Sequence, residues 1–450
     1  MEAAAVSPGA VEPVRTSTFG AEARELLKLG WPLALAQAGQ ALFGVVDTAI
    51  VGRVSAQAQG AVGLGNAVFF GFACLGIGIM MALDPLVSQA IGAGEPAKAR
   101  SLYWQGVWLS FVASVVLAVP IALFPLVLPA FGVDPGLADQ TWHYVVWRLP
   151  HLPGLFLFVV CRAWLQAVAR SHVVLVAALV ANLLNFALDW LFVLELGYGV
   201  AGAAVATVLS AAAQVGVVLF FFGPAPAGTR READVAAMQK TFRVGLPIGL
   251  QMVAEVGVFS AAGVIAGTMN EVSVAAHQIA ITWASFTFCL AVGVGAASAV
   301  RVGWAVGARD TPAARRSGLA AIGLGVAVMS TSALFFFSFP MLPARVMSDR
   351  PDVLAAVVAL FGVCAVFQVF DGIQAVAAGA LRGAGDTRFA FWANLVGHYA
   401  VGLPVSLFLG VKLQLGVVGL WWGLCAGLIA VALALLGRFV VLTRQDVAAL

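Results

Sequence analysis

Four carboxylates interrupt long apolar stretches of this 450-residue chain: Asp47, Asp189, Glu255 and Asp371. A charge inside a hydrocarbon-like environment costs about 2.5 kcal/mol or more on insertion scales, so such groups are read first as functional. Asn185 precedes Asp189 by one helical turn, and Thr207 lies on the next apolar stretch. Two carboxylates, an amide and a hydroxyl form an all-oxygen set suited to a hard cation such as Na+, or a carboxylate pair able to hold a proton. Asp84 and Glu195 stand at the ends of their stretches and are assigned to the interface.

Other chemistries find no footing. A phosphate-binding P-loop needs Gly-Lys, yet the four lysines follow Leu27, Ala97, Gln239 and Val411, so ATP is not expected as a partner. No histidine opens an HExxH pattern and no two acidic residues are adjacent, so neither a zinc protease nor a metal-diphosphate enzyme is indicated. Cys74, Cys161, Cys289, Cys364 and Cys425 lie in apolar stretches without CxxC spacing and read as core. Gly76-Ile-Gly78 fits a dinucleotide pattern but lacks a preceding strand, and reads as close helix packing. A net charge of +3 points to no nucleic acid. The expectation is a protein that is not an enzyme and holds no cofactor.

The elements that must position the acids follow from composition. Hydrophobic residues make up 62% of the chain and charged residues 10%, against about 25% charged in a soluble domain. Apolar runs bounded by polar, Gly or Pro punctuation predict twelve spans at 31–53, 61–83, 102–131, 141–168, 172–195, 200–222, 244–267, 273–300, 317–338, 353–381, 388–411 and 417–440. Of the 24 basic residues, 19 fall on the side of the N-terminus and four, Arg53, Arg345, Arg350 and Lys412, on the other, with Arg148 inside the fourth span. Cytoplasmic loops retain positive charge, so both termini are expected in the cytoplasm. The first 28 residues carry Glu2, Glu12, Glu22 and Glu25 and no apolar core of a signal peptide.

Displacing the chain by 215 residues superposes Gly30 and Pro32 on Gly245 and Pro247, Cys74, Leu75 and Gly78 on Cys289, Leu290 and Gly293, and Gly92 on Gly307. An offset of six spans restores the same orientation, which makes a parallel repeat. The predicted fold is therefore all-α and polytopic, in two pseudo-symmetric six-helix lobes. The expected organisation is a cytoplasmic tail at 1–27, an N-lobe at 28–223, a cytoplasmic linker at 224–243, a C-lobe at 244–440 and a cytoplasmic tail at 441–450.

At about 1.5 Å per residue, Asp47 and Asp189 each fall roughly 8 Å outside the midplane, with Thr207 at similar depth. Glu255 lies near the middle of the seventh span and Asp371 roughly 6 Å to the cytoplasmic side of the centre of the tenth. No basic residue is expected deep enough to neutralise either acidic cluster. His277 and His398 read as packing histidines, and Arg162, Arg301 and Arg382 as cytoplasmic anchors.

Several segments carry a family resemblance. Pro32 through Gly52, with Val46-Asp47-Thr48 and Ile50-Val51-Gly52, resembles the first helix of the multidrug and toxic compound extrusion (MATE) transporters, in their NorM-like bacterial branch. So do Gln89-Ala-Ile-Gly-Ala-Gly94, Ala275-Ala-His-Gln278 and Leu381-Arg-Gly-Ala-Gly-Asp386. The resemblance implies a V-shaped monomer in the bacterial inner membrane that exports organic cations and amphipathic drugs in exchange for H+ or Na+. It maps the N-lobe ion or proton site onto Asp47, Asn185, Asp189 and Thr207, and the C-lobe ion or substrate site onto Glu255 and Asp371. Na+ would sit at either set. Gln278, His277 and Phe367 become candidate substrate contacts, Phe367 standing where some relatives carry tyrosine. A lipid-linked precursor flippase is the alternative reading of the same architecture, but would call for deep cationic residues.

Overall fold

The computed structural model describes residues 18–450, so residues 1–17 of the expected N-terminal tail lie outside the described residues. The helices are α1 (Phe19–Val51), α2 (Ala56–Met80), α3 (Leu83–Gly92), α4 (Pro96–Val127), α5 (Pro135–Arg148), α6 (His151–Ala167), α7 (Ser171–Asp189) and α8 (Gly199–Phe220). They continue with α9 (Val235–Met269), α10 (Glu271–Gly307), α11 (Thr311–Ser338), α12 (Met341–Met347), α13 (Pro351–Gly383), α14 (Thr387–Leu395), α15 (Leu403–Leu407) and α16 (Gly416–Leu442). Wider π-helical turns at Trp190–Glu195, Val396–Gly402 and Phe408–Lys412 continue α7, α14 and α15.

Local chemistry sets the boundaries. Ser55 and Asn270 cap α2 and α10 by accepting from the amides of Ala58 at 3.0 Å and Ser273 at 2.8 Å, satisfying donors that a helix start leaves free. Pro150 follows α5 and has no N–H with which to carry the helical hydrogen-bond ladder onward. The chain accordingly bends by 50° between α5 and α6. Among the described residues eleven helical segments are long and apolar enough to cross a bilayer, and the bent α5–α6 pair makes a twelfth. The twelve-span, all-helical expectation is met.

The described chain forms two compact units, one of Leu35–Gly249 and one of residues 18–34 with Leu250–Leu450. In the first, α2 packs on α4 and α5, α6 on α4 and α8, and α7 on α8. In the second, α13 packs on α10, α11 and α16. The boundaries thus fall inside α1 and α9 rather than at 224–243. Glycines permit the close approaches at both places. A Cβ on Gly78 would stand 2.8 Å from the Ile248 carbonyl carbon in the first unit, and one on Gly293 would stand 2.6 Å from Ala34 N in the second. Residues 78 and 293, like 34 and 249, are one 215-residue offset apart, so the repeat seen in sequence is repeated in packing.

Three segments differ from expectation. The linker is in part helical, since α9 begins at Val235, and the rest is strapped to α4. Gln105 donates to the Glu232 carbonyl and accepts from the Asp234 amide, both at 2.8 Å, and Trp108 donates to the Arg231 carbonyl at 2.9 Å. The N-terminal tail is helical from Phe19, and Glu22 is fully buried, bound by Arg301 Nε at 2.8 Å and Ser317 Oγ at 2.6 Å. At the other end, the Val447 amide donates to Thr311 Oγ1 at 3.2 Å. Asp84, expected at the interface, is buried, while Glu195 is exposed and accepts from Trp190 Nε1 at 3.2 Å. All five cysteines are buried and none is in a disulfide among the described residues, as packing residues should be.

Candidate functional site

The first cluster gathers around Asp47 on α1, which is fully buried. Thr207 Oγ1 of α8 donates to Asp47 Oδ2 at 2.9 Å, Tyr144 OH of α5 at 3.2 Å, and Asn185 Nδ2 of α7 to Oδ1 at 3.3 Å. Asn185 and Asp189 are four residues apart on one helix, which places both on the same face. Asp189 is also fully buried and faces the Asp47 carboxylate, yet among the described residues no N–H or O–H donor reaches either of its oxygens. Asn185 Oδ1 is likewise unpartnered. Helix α7 widens into its π turns directly after Asp189, a distortion frequent at functional positions.

The absence of a deep basic residue is corrected here. Arg148, at the end of α5, brings Nη1 to 3.9 Å from Asp47 Oδ2 with its side chain 8% exposed. The guanidinium donates to Asn66 Oδ1 and to Tyr144 OH, and lies 4.7 Å over the Phe69 ring. The reason is geometric: the helix break at Leu149 and Pro150 ends α5 where Arg148 turns into the bundle. Its depth was available from sequence. The rise that puts Asp47 roughly 8 Å outside the midplane puts Arg148 roughly 10 Å out. Tyr144, one turn before it, and Asn66 carried no pattern that singled them out.

The second cluster surrounds Glu255 on α9, which is partly buried. It accepts from Gln251 Nε2 at 3.0 Å and from Gln374 Nε2 of α13 at 2.6 Å, and Gln374 also donates to Asn394 Oδ1 of α14 at 3.0 Å. Asp371, buried and three residues before Gln374, lies within electrostatic reach of Glu255. The three amides were not anticipated.

The remaining predicted residues lie elsewhere. Phe367 is buried, its ring 5.6 Å from that of Trp421 and 6.0 Å from that of Phe259. His277 is buried and accepts from Trp421 Nε1 on Nδ1 at 3.2 Å. Both therefore pack with the core of the second unit, whereas Gln278 is exposed.

Two repeated helical lobes, each with deep acids, define a multi-pass membrane protein of secondary-transporter architecture. The MatE family model matches residues 32–191 and again 247–408, starting 215 residues apart. The protein named probable multidrug resistance protein NorM in Rhodopseudomonas palustris is 34% identical, covering 99% of this chain and 97% of its own length. One of the same name in Mesorhizobium japonicum is 32% identical over 98% and 97%. The solved structure of a eukaryotic MATE transporter shares the fold with a TM-score of 0.86 at 20% identity, covering 94% of this chain and 96% of that one. The chain belongs to the MatE family.

Proposed function

We propose that the chain is a secondary active multidrug efflux antiporter, exporting organic cations and amphipathic drugs in exchange for inward H+ or Na+. The observation that carries this reading is Asp189: a fully buried carboxylate facing a second one, with no donor to either oxygen among the described residues. Such a group calls for a bound cation or proton, because an unsatisfied buried charge is costly. The near-full-length likeness to two NorM-named relatives supports the drug class.

In this reading Asp47, Asn185, Asp189 and Thr207 form the N-lobe coupling site, and Glu255 with Asp371 the C-lobe site. Occupation by H+ or Na+ neutralises the acids and releases the organic cation, and loss of the ion restores negative charge for the next substrate. Two ligands that favour different states of one site give antiport with no ATP step. Gln278 is offered as a substrate contact. The protein acts as a monomer in the inner membrane with both termini in the cytoplasm. The first cluster holds two carboxylates against one guanidinium, so it remains acidic, which disfavours the flippase alternative.

Efflux of a fluorescent organic cation from proteoliposomes, driven by a pH gradient alone and then by a Na+ gradient alone, tests the proposal. Dependence on at least one gradient is expected, and indifference to both would overturn it.

A further inference from the structure

Arg148 changes the charge count of the first cluster. The groups facing Asp47 are Tyr144 and Arg148 on α5, Asn185 and Asp189 on α7, and Thr207 on α8, with Asn66 on α2 bound to the guanidinium. His151 on α6 stacks on Phe69 at 5.4 Å between ring centroids and is a further titratable group beside Arg148. A guanidinium stays charged throughout the physiological range, so it is a permanent occupant of the site.

The ligation is asymmetric. Asp47 receives all three neutral donors and the closest approach of the guanidinium, whereas among the described residues no donor reaches Asp189, which faces the Asp47 carboxylate within the field of the same Arg148. A buried carboxylate without a donor has a strong demand for a counter-charge, while that of its neighbour has been met. Resting on the coupling role given above to this cluster, we propose that Arg148 is the fixed counter-charge of Asp47 and limits the N-lobe site to one monovalent cation, held on Asp189. The cation is a proton or Na+, either of which would satisfy the buried oxygens of Asp189.

The count then follows from charge balance. The native site takes one cation, and Arg148→Gln takes two, because two buried carboxylates must then be neutralised. Asp189→Asn and Asp47→Asn each take none, since the guanidinium pairs with whichever carboxylate remains. Arg148→Gln combined with Asp47→Asn returns to one, and Arg148→Lys, which keeps the charge, also gives one.

The test uses the full chain in nanodiscs, with the Asp47→Asn/Asp189→Asn double variant as the zero. For protons, the protonated-carboxyl infrared band is integrated across a pH titration without Na+. For Na+, binding is counted by equilibrium dialysis of labelled ion at alkaline pH. A doubling of the signal in Arg148→Gln, reversed by adding Asp47→Asn, supports the proposal. Two cations in the native protein, or an unchanged count in Arg148→Gln, overturns the role of Arg148 while leaving the coupling site standing. No cation signal in any form overturns the coupling reading as well.

Discussion

Gln374 places its amide nitrogen 2.6 Å from Glu255 Oε1, so that α13 supplies a neutral donor to the acid of α9. The donor occupies a lone pair that a cation would otherwise take. Replacing Gln374 with Leu removes a hydrogen bond to a charged group, about 1.5–3 kcal/mol. Cation affinity at this cluster should rise roughly ten- to a hundredfold and turnover should fall as release slows. Ion-dependence curves of efflux check this; weaker affinity would instead make the amide a ligand.

At the first cluster, Asp47→Asn and Asp189→Asn should each abolish drug efflux while expression and the size-exclusion profile stay unchanged. Neutral isosteres keep the packing but remove the charge that the ion and the drug share. Full efflux in both variants would refute the coupling assignment.

Glu22 and Arg301 form an ion pair whose carboxylate is fully buried and also bound by Ser317. Removing one partner leaves an uncompensated charge, a loss of about 3–5 kcal/mol. Arg301→Leu should therefore lower the thermal midpoint sharply in a fluorescence-detected melt, and adding Glu22→Leu should recover part of the loss. Equal melts for single and double variants would show that the charge is not what matters.

Helix α2 provides an internally controlled packing test. A Cβ on Gly78 would stand 2.8 Å from the Ile248 backbone, whereas one on Gly63 would meet nothing within 4 Å. Gly78→Val should prevent recovery of monodisperse protein, while Gly63→Ala should be tolerated or slightly stabilising, given the poor helix propensity of glycine. Recovery of both would mean the α2–α9 approach is not constrained by side-chain volume.

Much of the fold was legible in the sequence because hydrocarbon imposes a length on every span and a price on every charge. Apolar run lengths predicted the twelve spans, and the 215-residue offset predicted the repeat that recurs in the Gly78 and Gly293 packing. The site was legible in part for the same reason: Asp47, Asp189 and Thr207 fall at a similar depth with Asn185 one turn below Asp189 on its face, and the fold brings Asn185 and Thr207 into hydrogen bonds with Asp47. Glu255 and Asp371 were found as deep acids, but the amides around Glu255, Gln251 and Gln374 with Asn394 behind Gln374, were not, since an uncharged amide in an apolar run breaks no strong rule.

The sequence by itself determined which residues lie in the membrane and at what height. It did not determine rotation about the helix axes or where a helix bends, and those two quantities decide which side chains meet. Arg148 depends on both: the bend between α5 and α6 and the orientation of α5 bring it to Asp47 rather than to lipid. Depth is a one-dimensional property of a chain in a bilayer, written residue by residue, whereas a charge pair is a contact among α1, α2, α5 and α7 that exists only once those helices have packed.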